Sequence, residues 1–422
     1  MPAKKSLVTQ TQTATKAQNL GEMINLFDPQ RPLVTQQEQD NYFVLRSKTL
    51  LEEIERYLIT IDSPVKILFS GHRGSGKSTE LNHLALLLQD RFFIVRFSIL
   101  KTLSLVDLNY IDIILMCGLN LINKALEDKV KINEGILHNI QDWLHNEIIK
   151  ERIVETPEAL DITSELNLLV VKLTGKITKE SITRTIMRQR IEPRLEELID
   201  KINLTISEIE EKTAKKTLII IEDIDKVNLQ NALNLFFLHG TSLTQINSRI
   251  IYTFPIALQY SNDFPQIKRA FHRDFILPNI FISDKQGNKN LKGIELLKRI
   301  ILTRVEAQLI AEEAIQEAIN LSGGVISELI SLVQDAALKA LASRYERIDK
   351  ENIIKAGNKI RQDYQALLTT EEYEVLERVH KGEKKRGTNE PIVRDLLHNL
   401  ALLEYRNDDL WIDVHPIVKD IL

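Results

Sequence analysis

Val65-Lys66-Ile67-Leu68-Phe69-Ser70-Gly71-His72-Arg73-Gly74-Ser75-Gly76-Lys77-Ser78-Thr79 joins a short β-rich apolar run to a glycine-punctuated loop, and Glu80 to Leu88 continues with helical periodicity. Strand, glycine loop and helix, in that order, give the spacing Gly71-x4-Gly76-Lys77-Ser78 its meaning. Consecutive backbone N–H groups in such a loop converge on a helix N-terminus and suit phosphate oxygens. Gly71, Gly74 and Gly76 allow the tight path, free of Cβ atoms, that close backbone approach requires. The pattern places Lys77 on the β- and γ-phosphates and offers the Ser78 hydroxyl to Mg²⁺. His72, Arg73, Ser75 and Thr79 complete the loop as candidate binding residues, with the His72 and Arg73 side chains expected at the surface.

Working outward, Phe92 to Ser98 reads as a second strand. Thr217-Leu218-Ile219-Ile220-Ile221 is a third, closed by Glu222-Asp223-Ile224-Asp225, and Arg249 to Phe254 is a fourth, ending at Pro255. Short apolar strands separated by helical segments imply an α/β fold with a parallel sheet covered on both faces. The third strand delivers acids to the opening of the loop, where Glu222 or Asp223 would hold Mg²⁺ through water and polarise an attacking water. Together the two motifs predict binding of ATP or GTP.

The rest of the chain divides around this core. Residues 1–35 are rich in Gln, Thr and Lys and read as a flexible N-terminal arm, with a short docking segment at Leu20 to Phe27 whose order would need a partner. From Gln36 to Ile61 the spacing of Phe43, Leu50, Leu51, Ile54, Tyr57 and Leu58 fits one amphipathic helix. The core runs over 36–289, with 101–216 a largely helical elaboration: helices near 105–125, 134–150 and 178–212, and a strand pair or irregular segment around Leu168 to Leu173. Residues 290–366 form an all-helical lid, punctuated by Gly323-Gly324, and 367–422 form a helix, helix, hairpin module in which Thr370-Glu371-Glu372 caps the first helix and Pro391 opens the second.

Composition excludes several classes. The 422 residues carry 55 basic against 59 acidic side chains, so no global charge pulls the chain to nucleic acid or an anionic membrane. At 43% hydrophobic and 27% charged residues the chain can fill a core, which excludes a disordered or fibrous protein. Cys117 is the single cysteine, so an internal disulfide is impossible and a reducing compartment is favoured. The start is not a signal peptide, and no run approaches the roughly 20 apolar residues of a membrane span, which predicts a cytoplasmic protein. The nine histidines, His380, His398 and His415 among them, show no metal-ligand spacing.

The stretch Gly71 to Thr79 and the stretch Leu218 to Lys226 resemble the AAA+ and related STAND ATPases, in particular the origin-recognition-like and bacterial regulatory branch with a C-terminal winged helix. The resemblance covers roughly residues 40–365, more loosely the tail. It implies a P-loop NTPase sheet with ATP and Mg²⁺ as ligands, Glu222 at the metal side and Asp223 as the catalytic acid, where the family usually has Asp-Asp or Asp-Glu. It also implies a γ-phosphate sensor at Thr253, which otherwise caps its strand, and an arginine donated across a subunit interface from Arg269 or Arg273, the latter otherwise paired with Asp274. Arg46, in Phe43-Val44-Leu45-Arg46, resembles the family segment that packs near the base. The lid arginine common in the family is missing from Gly323-Gly324-Val325-Ile326-Ser327.

The tail supplies a second functional reading. Helix Pro391 to Leu400 would enter a DNA groove, with Arg394 and His398 on bases and Lys381, Lys384, Lys385 and Arg386 on phosphates, against the opposing Asp408, Asp409 and Asp413. Trp411 reads as an anchor of the hairpin. The leading expectation is an ATP-driven switch or assembly protein that forms a homo-oligomer and acts on a protein effector or regulator. The alternatives are a DNA-binding replication, transposition or transcription ATPase, and a nucleotide-stabilised scaffold that does not hydrolyse.

Overall fold

The computed structural model describes residues 16–46, 48–101, 103, 105–149, 162–384, 390–406 and 409–422. Five parallel strands form the central sheet: β1 (Lys66–Gly71), β2 (Phe92–Ser98), β3 (Lys216–Glu222), β4 (Arg249–Pro255) and β5 (Arg273–Ile276), in the order β2-β3-β4-β1-β5. Every residue of β1 and β4 is buried, because helices cover both faces and leave no alternation of apolar and polar positions. β1 lies between β4 and the edge strand β5, with Phe69 opposite Thr253 and Phe275, so the glycine loop leaves an interior strand at the carboxyl edge of the sheet. Clefts at that edge are where open α/β sheets bind ligands.

One face of the sheet packs on the helices Lys48–Thr60 and Lys77–Leu88 through Leu51, Ile54, Leu58, Leu81 and Leu84. The other carries the helical elaboration: Tyr110–Glu127, Glu134–Trp143, Ile162–Lys179, Ser181–Ile191 and Leu195–Thr213 share a continuous core with β2 and β3. The stretch Leu168 to Leu173 is helix, not strand. Leu166, Leu169, Val170, Leu173 and Ile177 recur at three- and four-residue spacing and are all buried. The expected helix over 36–61 is two helices, Gln36–Tyr42 and Lys48–Thr60, and the residues between them bring Arg46 to the glycine loop.

The lid consists of Leu291–Leu302, Glu312–Ser322, Ile326–Ala342 and Lys350–Leu367. The expected flexible arm is corrected over its described part. Ala17 bridges Val305, and the helix Leu20–Leu26 packs on Ile326–Ala342, with Met23 and Phe27 fully buried. The apolar face of that segment therefore finds its partner in the lid of the same chain. Residues 1–15 lie outside the described residues.

The C-terminal module has the expected helix, helix, hairpin order: Thr370–His380, Pro391–His398, then the antiparallel pair β6 (Leu402–Arg406) and β7 (Leu410–Val414). Its first helix is capped by Thr369, whose side chain and that of Glu372 satisfy each other's backbone N–H groups. Trp411 is buried and stacks on Tyr405 at 4.5 Å, inside a small core shared with Val325 of the lid. No described helix is long and apolar enough to cross a membrane.

Candidate functional site

The phosphate loop is set by its glycines. Gly74 and Gly76 adopt φ of 72° and 90°, a region L-residues avoid, and Gly76 opens the helix Lys77–Leu88 with no side-chain cap, leaving its first N–H groups for a ligand. Lys77 is buried and turned inward. Its Nζ donates to the carbonyls of Gly71 and His72 at 2.8 Å each and pairs with Asp225 Oδ2 at 2.8 Å. The Ser78 hydroxyl donates to Glu222, whose carboxylate is also paired with Arg96. Burial pushes the Glu222 carboxyl above its usual range, with Arg96 and Ser78 opposing.

The three acids closing β3 diverge. Asp223 has φ 69° and accepts from Ser98 Oγ and from Lys226 Nζ, the latter at 2.7 Å. Asp225 is the acid that meets Lys77. Burial acts to raise its carboxyl, but the Lys77 ammonium and the Thr253 hydroxyl hold it below the usual carboxylate range. Thr253, two residues before the end of β4, lies beside it and accepts from the Ile224 N–H at 3.1 Å. The structure thus groups Lys77, Ser78, Glu222, Asp225 and Thr253, and points Asp223 at Ser98 and Lys226. Sequence reasoning quoted Asp225 without giving it a role. The sequence shows this third acid two residues after Asp223, but not the turn at Asp223 that aims it at Lys77.

Thr79, in the first turn of the helix Lys77–Leu88, is held by the strap of the N-terminal segment that also carries Arg46. The Leu33 N–H donates to Thr79 Oγ1 at 3.4 Å, Gln39 Nε2 donates to the Thr79 carbonyl at 3.3 Å, and Arg46 Nε donates to Glu80 Oε1 at 2.8 Å. Above the loop sits the lid: the Ser327 N–H donates to the Gly74 carbonyl at 2.9 Å, and a Cβ on Gly74 would lie 1.8 Å from Ser327 Oγ. Ser70 Oγ and Ser75 Oγ are buried at the loop without hydrogen-bond partners.

The expectation that His72 and Arg73 face solvent is corrected. His72 is buried, and its Nε2 accepts from the Glu404 N–H of β6 at 2.6 Å. Burial lowers its pKa to about 3, helped by Lys77. Arg73 donates to the Lys226 carbonyl at 2.7 Å and to His398 Nε2 at 2.6 Å. The C-terminal module therefore rests directly on the phosphate loop. It also holds the turn Ile256–Tyr260 after β4: Tyr260 donates to Glu404, Arg406 donates to Gln259 at 2.9 Å, and Val393, Leu396 and Leu397 pack on Ala257 and Tyr260.

Three of the six side chains assigned to DNA have partners inside the chain. His398 accepts from Arg73, Lys384 pairs with Asp413 at 3.1 Å, and Lys381 pairs with Glu377. Lys385, Arg386 and Asp408 lie outside the described residues. Arg269 and Arg273 are exposed near the β5 edge. The Arg273 guanidinium sits 5.5 Å from the Tyr57 ring centre, while Asp274 pairs with Lys268 at 2.6 Å in place of the expected Arg273 contact. Among the described residues no cluster of His, Cys, Asp and Glu could hold a metal by itself.

The sheet order and the loop leaving the interior strand β1 define an α/β P-loop NTPase architecture. The chain matches no protein-family model and no curated protein. Among solved structures it is similar to Cdc6p from Pyrobaculum aerophilum, at 11% identity over 94% of this chain and 95% of that one, with a TM-score of 0.43. It is also similar to the Aeropyrum pernix ORC2 protein, at 10% identity over 94% and 97% with a TM-score of 0.44. A third is the Thermotoga maritima RuvB Holliday junction branch migration motor, at 14% identity over 93% and 98% with a TM-score of 0.36.

Proposed function

We propose that the chain is a Mg-ATP-dependent AAA+/STAND-like ATPase that works as a nucleotide-controlled switch. The observation that carries this reading is the buried Lys77 ammonium, held at the loop by two carbonyls and Asp225, with the Ser78 and Glu222 pair one residue away. Lys77 in this state occupies acceptors that a polyphosphate would replace. The residues fit the implied metal: Ser78 and Glu222 are hard oxygen donors, and the unpartnered Ser70 and Ser75 hydroxyls offer further polar capacity beside them. Bound there, Mg²⁺ would neutralise charge on the outer phosphates.

The chain's own residues would then act as follows. Backbone N–H groups of the loop bind the phosphates, and Lys77 moves from Asp225 to the β- and γ-oxygens. Asp225, released from Lys77, orients the attacking water, while Thr253, which hydrogen-bonds its carboxyl, reports the γ-phosphate. Arg269 or Arg273, being exposed, would serve the site of a neighbouring copy in a homo-oligomer. Changes in the loop pass to the C-terminal module through His72 and Arg73 and alter the surface offered to a protein effector. The docked state of helix Pro391–His398 favours this reading over direct DNA binding.

Calorimetric titration with Mg-ATP and Mg-GTP tests the reading. The wild type is expected to bind ATP with one site per chain, and Lys77→Ala to lose about two orders of magnitude in affinity, as expected for a cation contacting phosphate in a dry site. Equal affinity of the two proteins would sink it.

A further inference from the structure

Arg46 is 4% exposed at its side chain, and only its Nε is spent, on Glu80 Oε1 at 2.8 Å. Both terminal nitrogens, Nη1 and Nη2, are buried without a hydrogen-bond partner. Four N–H donors withheld from water and from protein are costly, so a buried guanidinium in this condition marks a place where an acceptor belongs. Glu80 balances the charge but leaves the fork free. By holding Nε it fixes the orientation of the guanidinium plane.

The fork is pressed against the phosphate loop. A Cβ at Gly76 would lie 3.5 Å from Arg46 Nη2 and 3.9 Å from its Cζ, and 3.4 Å from Ile326 Cδ1 on the lid side. Gly76 is the residue whose φ of 90° opens the helix Lys77–Leu88. Three elements meet at this point: the N-terminal strap, the phosphate loop and the first residue of the lid helix Ile326–Ala342. The lid brings apolar and hydroxyl side chains here and no cation, since no arginine stands in Gly323-Gly324-Val325-Ile326-Ser327. The strap that supplies Arg46 is also tied to that lid helix, because Gln334 Nε2 donates to the Ile24 carbonyl at 2.8 Å and Phe27 is buried in the lid core.

We infer that Arg46 is the second phosphate-binding cation of the site, contacting the polyphosphate chain beside Gly76 and standing in for an arginine the lid lacks. This rests on the reading of the loop as a nucleotide site and goes beyond the base-side packing that the resemblance implies for this segment. The ligand class is a nucleoside di- or triphosphate, recognised by its phosphate oxygens. A planar fork suits this contact better than an ammonium would. Engagement of Arg46 also links phosphate occupancy to the strap and hence to the lid.

The test compares wild type, Arg46→Lys and the double variant Arg46→Met with Glu80→Gln, which removes the buried pair together and leaves no orphaned charge. Affinities for Mg-ATP and for inorganic tripolyphosphate, a probe with no base, are measured by titration, with the melting temperature of the ligand-free proteins alongside. The double variant is expected to lose tenfold or more for both ligands, about the worth of one charge-assisted contact, with its ligand-free melting temperature unchanged or raised. Arg46→Lys should fall between the two. Loss of ATP affinity with tripolyphosphate affinity intact would overturn the inference and return Arg46 to the base side. Unchanged affinities in a folded variant would overturn it too. A wild type that binds neither ligand would remove the nucleotide reading itself, an outcome distinct from both.

Discussion

At the scale of single residues, the central question is which acid after β3 faces the chemistry. Family spacing selects Asp223, because it follows Glu222 directly. The backbone decides otherwise: with φ 69° at Asp223 the chain turns there, its side chain goes to Ser98 and Lys226, and Asp225 arrives at Lys77. Steady-state phosphate release should therefore fall by about two orders of magnitude or more in Asp225→Asn, the usual worth of a positioned general base. Asp223→Asn should stay near the wild-type rate, and the reverse ranking would restore the sequence-based assignment. The turn from Gly71 to Ser78 was legible from its spacing because the positive φ at Gly74 and Gly76 tolerates few other residues. Asp225 was not, because a single positive φ is invisible in the residue pattern.

At the scale of elements, four strands of the sheet were legible as apolar runs and the fifth was not. Arg273-Asp274-Phe275-Ile276 is short, charged at its start and at the sheet edge, so only its pairing with β1 makes it a strand. The helix Leu20–Leu26 was missed as an ordered element for a related reason: its partner lies some 300 residues away in the lid, at Ile326–Ala342. The contact of β6 with the phosphate loop was hidden in the same way, and it carries a pH dependence. His72 accepts from the Glu404 N–H as a neutral ring, with its pKa lowered to about 3 from 6.5. Below pH 6.5 the unfolded chain takes up a proton that the folded chain refuses, so stability present above that pH is lost as the pH falls towards 3. The slope is at most about 1.4 kcal/mol per pH unit. Melting temperatures from pH 7.5 to 5 should decline less steeply in His72→Asn than in wild type. Parallel curves would show that the ring is not held neutral by this contact.

At the scale of the whole molecule, charge balance first suggested that any nucleic-acid contact would be a local patch in the tail. Two of its side chains are engaged inside the chain. His398 meets Arg73, Lys384 meets Asp413, and the apolar face of Pro391–His398 covers the turn after β4. The helical character of 290–366 and the helix, helix, hairpin order of the tail could be read from periodicity. That the tail closes over the nucleotide loop could not, since His72 and Arg73 look like ordinary variable positions of a glycine loop. Lid, strap and C-terminal module converge on a few residues between Gly71 and Glu80, which makes the loop a junction of the whole chain. A ligand that reshapes the loop must then be felt by all three, and any differential affinity for the docked and undocked states shifts their populations.

The distance between spin labels at Asp90→Cys in the core and Glu374→Cys in the C-terminal module, both exposed positions, tests this claim most directly, since the native Cys117 is buried and should escape labelling. Pulsed electron resonance should give one narrow distribution without nucleotide and a displaced one with Mg²⁺ and a nonhydrolysable ATP analogue, with no displacement in Lys77→Ala. An unchanged distribution at saturating analogue would contradict the account of a nucleotide-controlled switch.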